Sequence, residues 1–376
     1  MVRSRPINRR QMLAAAATLA APAWALAQSG KASARGITIA QIVDTSPAQQ
    51  DVSKDFLIGS RAAWQDVNAR GGLRGRTVQH ATIEVDGTAA SVRAALASVR
   101  DNPDCLLLCG SAGDVAATRV ATALRAERLG IAHVAPWLQN SGLELDDQTF
   151  PIFAPRQEQI AHALKSLSVV NVRELGVVYA GEQEYAGHRN ELEHAAAALG
   201  LKIVAYRGSN LAQLGQQLTQ ASPAILLFVG GTPELVQFTQ GLERQSRQRY
   251  VVALADVNLQ TLQQMGAARH TPVIATQSVP MVTASHPIVR KYREVLARLF
   301  DEPPAPLSLA GFIAARYAFE VLGGVDGQLS RASVLAAFQR RETLDVGGFR
   351  VSYDGRRRGG TFVTQSMLTT DGRVIG

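Results

Sequence analysis

The sequence predicts an α/β protein of two successive units, each a mainly parallel sheet with helices on both faces. Three observations carry this. Short apolar strands alternate with amphipathic helices from residue 37 onward. The pattern pauses at "TFPIFAP" (149–155), where two prolines bracket an aliphatic–aromatic pair, and then starts again. The chain has 376 residues, 46% hydrophobic and 19% charged, a globular balance long enough for two cores.

"ITIAQIV" (37–43) reads as a strand. Residues 54–69 carry apolar side chains at helical spacing and stop at Gly71-Gly72. "TVQHATIEV" (77–85) alternates like a strand, and 89–101 is helical. A strand at 105–109, a helix at 114–129 closed by Gly130, and a strand at 131–135 complete a βαβαβαβ order. After the pause, helices at 156–168, 186–200, 211–221, 233–246 and 258–267 alternate with strands at 174–180, 201–207, 224–230, 250–255 and 272–278. The two units share architecture without visible sequence identity. Three helices then follow at about 285–300, 308–323 and 330–340 with no strand between them. They cannot extend a parallel sheet, so they are expected to pack back on one unit and make the units discontinuous. Residues 349–374 alternate like strands, with turns at Asp354-Gly355 and Asp371-Gly372.

Residues 1–27 read as a secretory signal peptide rather than part of the fold. Arg3, Arg5, Arg9 and Arg10 form a positive start, a short apolar core follows, and Ala25-Leu26-Ala27 fits the small-residue cleavage pattern. "NRRQML" also has the paired arginines of a twin-arginine signal, with Asn8 and Met12 at positions where that motif usually has other residues. Removing four arginines leaves 35 basic against 31 acidic residues, about +4. The basic residues are scattered, so nucleic acid is not an expected partner. The one dense run, Arg356-Arg357-Arg358, reads as a solvated hairpin tip. Cys105 and Cys109 lie four residues apart on one strand, roughly 13 Å between Cα atoms, too far for a disulfide. Two buried free thiols are expected, with no metal site.

"CLLLCGSAGDVAAT" (105–118) is a strand that breaks on small residues and feeds a helix. As a nucleophile elbow it has Ser111 in the centre and Gly113 after it, but Cys109 replaces the first glycine. As a phosphate cradle it lacks the lysine and the glycine spacing, and Asp114 would repel phosphate. As a cradle for a small solute it offers the Ser111 hydroxyl and the unsatisfied first amides of the next helix, with Asp114 an alternative helix cap. Trp137, Tyr185, Gly230 and Asp256 also follow strand ends, where open α/β sheets bind ligands. Trp137 reads equally as a core aromatic, Tyr185 as helix-start packing, and Asp256 as either a partner for a cation or a helix cap.

The leader, the two α/β units and the three late helices together resemble the type 1 periplasmic solute-binding proteins of the leucine/isoleucine/valine-binding group, which serve ABC importers. "DVNARGGLRGRTV" (66–78) is similar to that family's helix-to-strand turn, "VDGTAAS" (85–91) to its second turn, and "GSAGDVA" (110–116) to its first-lobe binding loop. "GEQEYAG" (181–187) is similar to its second-lobe loop, and 346–363 to its final crossover. The resemblance implies two Rossmann-like lobes, three-layer αβα, around a ligand cleft. The first would be 28–154 plus 281–344 and the second 155–280 plus 345–376, with hinge crossings near 153–156, 277–281 and 343–348. It implies ligand contacts from Ser111, Ala112, Gly113, Asp114, Trp137, Leu138 and Gln139 in the first lobe, and from Tyr185, Gly230 and Asp256 in the second. It also implies a monomer in the periplasm, without cofactor, that delivers its ligand to an ABC-type membrane permease. Amino-acid binders of the family have a small residue and a threonine where this chain has Trp137-Leu138-Gln139. The expected ligand is therefore a small organic solute with one anionic or amide end. The competing readings are a periplasmic sensor on the same fold and an exported serine hydrolase using Ser111.

Overall fold

A computed structural model describes residues 36–169, 172–355 and 357–376. The expected leader and Arg356 lie outside them. The first half runs β1 (Ile37–Asp44), α1 (Gln50–Ala69), β2 (Val78–Val85), α2 (Ala89–Asp101), β3 (Cys105–Cys109), α3 (Asp114–Glu127), β4 (Ala132–Val134) and β5 (Thr149–Phe150). Its strands form one parallel sheet in the order β2-β1-β3-β4-β5. β1 lies between two neighbours under helices on both faces, so all eight of its residues are buried. Its buried amide at Gln41 is satisfied by the Gly110 carbonyl at 2.6 Å, the Ser60 hydroxyl and the His80 ring.

The second half runs α4 (Arg156–Val169), β6 (Glu174–Tyr179), α5 (Glu182–Ala198), β7 (Lys202–Arg207), α6 (Leu211–Gln217), β8 (Ile225–Val229), α7 (Thr232–Leu242), β9 (Tyr250–Ala253), α8 (Leu259–Gln264) and β10 (Val273–Gln277). Then come α9 (Pro287–Leu299), α10 (Pro306–Gly323), α11 (Arg331–Gln339), β11 (Leu344–Val346), β12 (Phe349–Val351), β13 (Thr364–Leu368) and β14 (Val374–Ile375). The second sheet has the order β14-β13-β10-β9-β8-β6-β7, parallel except where β13 and β14 run antiparallel. Each sheet has an apolar cluster on either face, which makes two three-layer lobes. α5 starts four residues before the expected 186, because Gly181 caps a first turn rich in acids. α8 is shorter than the expected 258–267 and ends before Gly266, whose φ is +64°.

The three late helices share one apolar cluster with α1, β3 and β4, so they belong to the first lobe. α10 is mostly apolar and buried apart from its Arg316–Glu320 pair, and it meets α1 at backbone distance. A methyl group on Gly59 would sit 1.7 Å from the Ser308 carbonyl oxygen, and one on Gly311 would sit 1.9 Å from that of Phe56. α11 is fastened by Arg331, whose guanidinium donates to the carbonyls of Val99, Arg100, Asn102 and Cys105 around the end of α2. Both cysteines are buried free thiols.

The hairpin β11–β12 also packs on the first lobe through Val346, Phe349 and Val351. The chain enters the second sheet only at Thr364. The third crossing therefore falls within 352–363, later than the 343–348 that the resemblance implies. The crossings lie side by side: Gly359 donates to the Pro151 carbonyl at 2.9 Å, Ser278 to that of Ala154 at 3.0 Å, and Thr364 to that of Val279 at 2.8 Å. The arginine run expected as a solvated tip is divided. Arg357 is exposed in the turn, whereas Arg358 is buried and donates to the Asn140 carbonyl at 2.6 Å.

Gly311→Ala forces α1 and α10 apart and should lower the unfolding free energy by about 3 kcal/mol. Gly323→Ala, on the same helix but in open space, should stay within about 1 kcal/mol of the parent. Urea unfolding midpoints check both.

Candidate functional site

Each sheet reverses its strand order beside its first strand. β2 and β3 flank β1 in the first lobe, and β7 and β8 flank β6 in the second. The loops that diverge at such a point leave a crevice outside the strand ends. A cavity of about 1090 Å³ spans both crevices, with Gln49 and Asp114 on the first-lobe wall and Glu184, Gly230, Gly231 and Asp256 on the second.

The loop after β3 is shaped by its glycines. Gly110 has φ +66° and Gly113 φ +94°, and a methyl group on Gly113 would sit 2.6 Å from Asp44 Cβ. Between them the chain stays extended beside β1: Ala112 donates to the Ile42 carbonyl and accepts from Asp44 N–H. This extension turns the Ser111 hydroxyl inward to His133 Nε2 at 2.9 Å. Both residues are fully buried and neither lines the cavity. Burial lowers the His133 pKa to about 3, so the ring is neutral. Its Nδ1 has no hydrogen-bond partner and no carboxylate to orient it. The hydrolase reading requires Ser111 to reach a substrate, and the hydroxyl is closed off by this packing.

Asp114 is the first residue of α3, whose cap is Gly113. Its carboxylate reaches across to accept from Gln139 N–H at 2.8 Å and Asn140 N–H at 2.9 Å, which draws the 137–140 loop over the helix start. Leu138 and Gln139 are buried by this, and Gln139 bonds to Gln159. Trp137 is also buried, packed against Phe56 and Phe153 at centroid distances of 5.9 and 5.4 Å. Its indole N–H donates to Asp256 Oδ1 at 2.8 Å, a bond between the lobes. Tyr185 lies on another face of α5, edge-on to Tyr179 and under the guanidinium of Arg207 at 4.4 Å. The structure therefore brings Asp114, Gly230 and Asp256 together on the cavity wall. It places Ser111, Ala112, Gly113, Trp137, Leu138, Gln139 and Tyr185 off that wall.

Sequence reasoning passed over Arg156. It opens α4 immediately after the first crossing, lines the cavity and is nearly buried. Nη1 and Nη2 each lie 3.3 Å from Asp114 Oδ2, and Nη2 lies 3.6 Å from Asp256 Oδ2. Burial disfavours the charge, but Asp114, Asp256 and Glu191 outweigh it and hold the guanidinium pKa above its ordinary value. No local motif marks this arginine, since Asp114 is 42 residues away. The same holds for His188 and Glu191, which line the cavity from α5. Burial, with Arg156 nearby, lowers the His188 pKa to about 4.

A second contact crosses the cleft where Asn258 Nδ2 donates to Asp55 Oδ2 at 2.6 Å. Asn258 also caps α8 through its Oδ1. Among the described residues no group of three or more His, Cys, Asp or Glu is placed to hold a metal, and no helix is long and apolar enough to cross a membrane.

The family described as "Periplasmic binding protein" matches residues 36–370. The chain belongs to this family. It is a family of solute-binding proteins rather than enzymes. An extracellular ligand-binding receptor from Verminephrobacter eiseniae ef01-2 superposes with a TM-score of 0.82 at 17% identity, covering 91% of this chain and 100% of that one. A fatty acid ABC transporter substrate-binding protein from Thermomonospora curvata gives 0.75 at 14% identity, covering 90% and 89%. The branched-chain amino acid transporter substrate-binding protein of Streptococcus pneumoniae, solved with isoleucine, gives 0.76 at 12% identity, covering 90% and 98%. Among curated proteins there is no significant match.

Burial raises the Asp55 pKa from 3.8 to about 6, against the Asn258 hydrogen bond and Lys54 that pull it down. The folded protein therefore keeps a proton that the unfolded chain releases, and this site costs stability as pH rises between about 4 and 6. Asp55→Asn removes that cost. Its melting temperature relative to the parent should rise across that window and level off by pH 7.5, in a pH series of thermal melts.

Proposed function

We propose that this chain is an exported solute-binding protein that captures a small organic solute, an amino acid, an amide or a carboxylate, between its lobes and delivers it to an ABC-type permease. One observation carries the reading: the cavity takes its walls from both lobes, at the strand-order reversal of each. A ligand's contacts are then complete only when the lobes are together, so binding shifts the hinge equilibrium toward the closed form that a permease can recognise. Family membership supports the transport role and a periplasmic location, and the basic, apolar residues 1–27 support export.

The lobes we infer run from the mature start to 154 with 281–351, and from 155 to 280 with 364–376, which keeps the hairpin β11–β12 with the core it packs on. The ligand-contacting set we propose is Asp114, Gly230 and Asp256, joined by Gln49, Arg156 and His188. Ser111, Trp137 and Gln139 act behind them by holding the loops in place. The cavity, about 1090 Å³, is large for a single amino acid and lies just above the usual few hundred to about 1000 Å³ of small-molecule sites, which leaves room for a longer solute.

The test is a thermal-shift screen of the mature protein against amino acids, amides, and aliphatic and aromatic carboxylates. A solute at 100 times its dissociation constant should add about 2.7 kcal/mol of stability. X-ray scattering should show a smaller radius of gyration with the hit bound. A protein that no member of the panel stabilises would be something other than a binder of small organic solutes.

A further inference from the structure

The two acids that approach each other from opposite lobes on the cavity wall, Asp114 and Asp256, are already answered by groups of the protein itself. Asp114, from the first lobe, receives two backbone N–H groups on one oxygen and the Arg156 guanidinium on the other. Asp256, from the second lobe, receives the Trp137 indole on one oxygen and faces Arg156 with the other. Glu184 and Glu234 fold back over Gly181 and Gly231, the caps of their own helices, with an oxygen 2.9 Å from where a glycine Cβ would stand. Glu191 lies beside Ser141, Arg156 and Arg358, with its Oε1 buried and without a hydrogen-bond partner. Arg156 is the centre of this arrangement. It stands at the floor of the cleft with its side chain 10% exposed, between one acid from each lobe.

We propose that Arg156 is a specificity-determining residue that fills, as a built-in cation, the anionic place between Asp114 and Asp256, so that the solute this cleft selects carries no amine at that end and belongs to the amine-free carboxylates and amides. This rests on the solute-capture reading above and narrows it. An ammonium group could take the place only by displacing the guanidinium, and that would leave a buried charge without its partner. The two ion-pair distances, 3.3 and 3.6 Å, are longer than the 2.7–2.9 Å of a tight charge-assisted bond. The guanidinium lines the cavity, so its donors can also meet an anionic or amide oxygen of the solute while it keeps both acids neutralised. An α-amino acid carries the cation that the cleft already has, and its deaminated counterpart does not.

The first arm of the test needs no native ligand. Arg156→Ala removes the atoms of an ethylguanidinium ion and leaves the two acids facing an empty place. Ethylguanidinium and ethylammonium at low millimolar concentration should raise the melting temperature of this variant by several degrees and leave the parent unmoved. The response should vanish when Asp114→Asn and Asp256→Asn are added. If Arg156→Ala does not fold unaided, Arg156→Gln is titrated with methylammonium in the same way. Variants that respond no more than the parent overturn the proposal.

The second arm compares L-leucine with 4-methylpentanoate and L-phenylalanine with 3-phenylpropanoate on the parent protein. The amine-free member should bind at least about tenfold more tightly, and Arg156→Ala should erase or reverse the preference. A parent that binds the amino acid as well as its deaminated partner also overturns the proposal. A parent that shows the rescue pattern but binds neither pair keeps Arg156 as the built-in cation and removes the solute-capture reading instead.

Discussion

A parallel sheet that reverses its strand order sends two neighbouring loops in opposite directions, and the space between them cannot be closed by the sheet's own helices. This molecule has two such openings, beside β1 and beside β6, and three adjacent crossings set them facing one another. The rest of the architecture follows from that constraint. The first lobe needs its outer face covered, and α9, α10 and α11 cover it, with α10 pressed on α1 through Gly59 and Gly311. The crossings must run without bulk between them, and Gly360 lies where a methyl group would stand 2.4 Å from the Ile152 carbonyl.

Within the cleft the governing chemistry is electrostatic. Carboxylates from opposite lobes converge on a space partly shielded from water, where like charges repel strongly. Arg156 offsets that repulsion and at the same time spans the cleft. The Trp137–Asp256 and Asp55–Asn258 hydrogen bonds add two further links between the lobes. Each such link uses a polar group that would be costly to leave buried and unpaired if the lobes met without it. The approach of the two halves in this structure is thus specified by polar satisfaction as well as by apolar contact.

The succession of elements was legible because it depends on periodicity, which is local. The strands 37–43, 105–109 and 224–230 and most helices fall where the apolar pattern sets them. The loops at the cleft were legible for the same reason, since a small-residue turn after a strand marks a carboxyl end. Which side chain in a loop faces the cleft was not. The single bridge between Val43 and Ala112 continues the strand past Cys109 and turns Ser111 toward His133. The earlier start of α5 puts Glu184, His188 and Glu191 on the cavity side and carries Tyr185 toward Arg207 on β7.

The sequence by itself determined the α/β class, the two units, the late helices and the absence of a Cys105–Cys109 bridge, because spacing along one chain settles each of them. Only the tertiary structure decided that the hairpin β11–β12 belongs with the first lobe, that Arg358 is buried, and that Arg156 stands between Asp114 and Asp256. Those partners are far apart along the chain and meet only when the two sheets are brought together. The charge that governs the cleft is a property of that meeting, and no local pattern of residues records it.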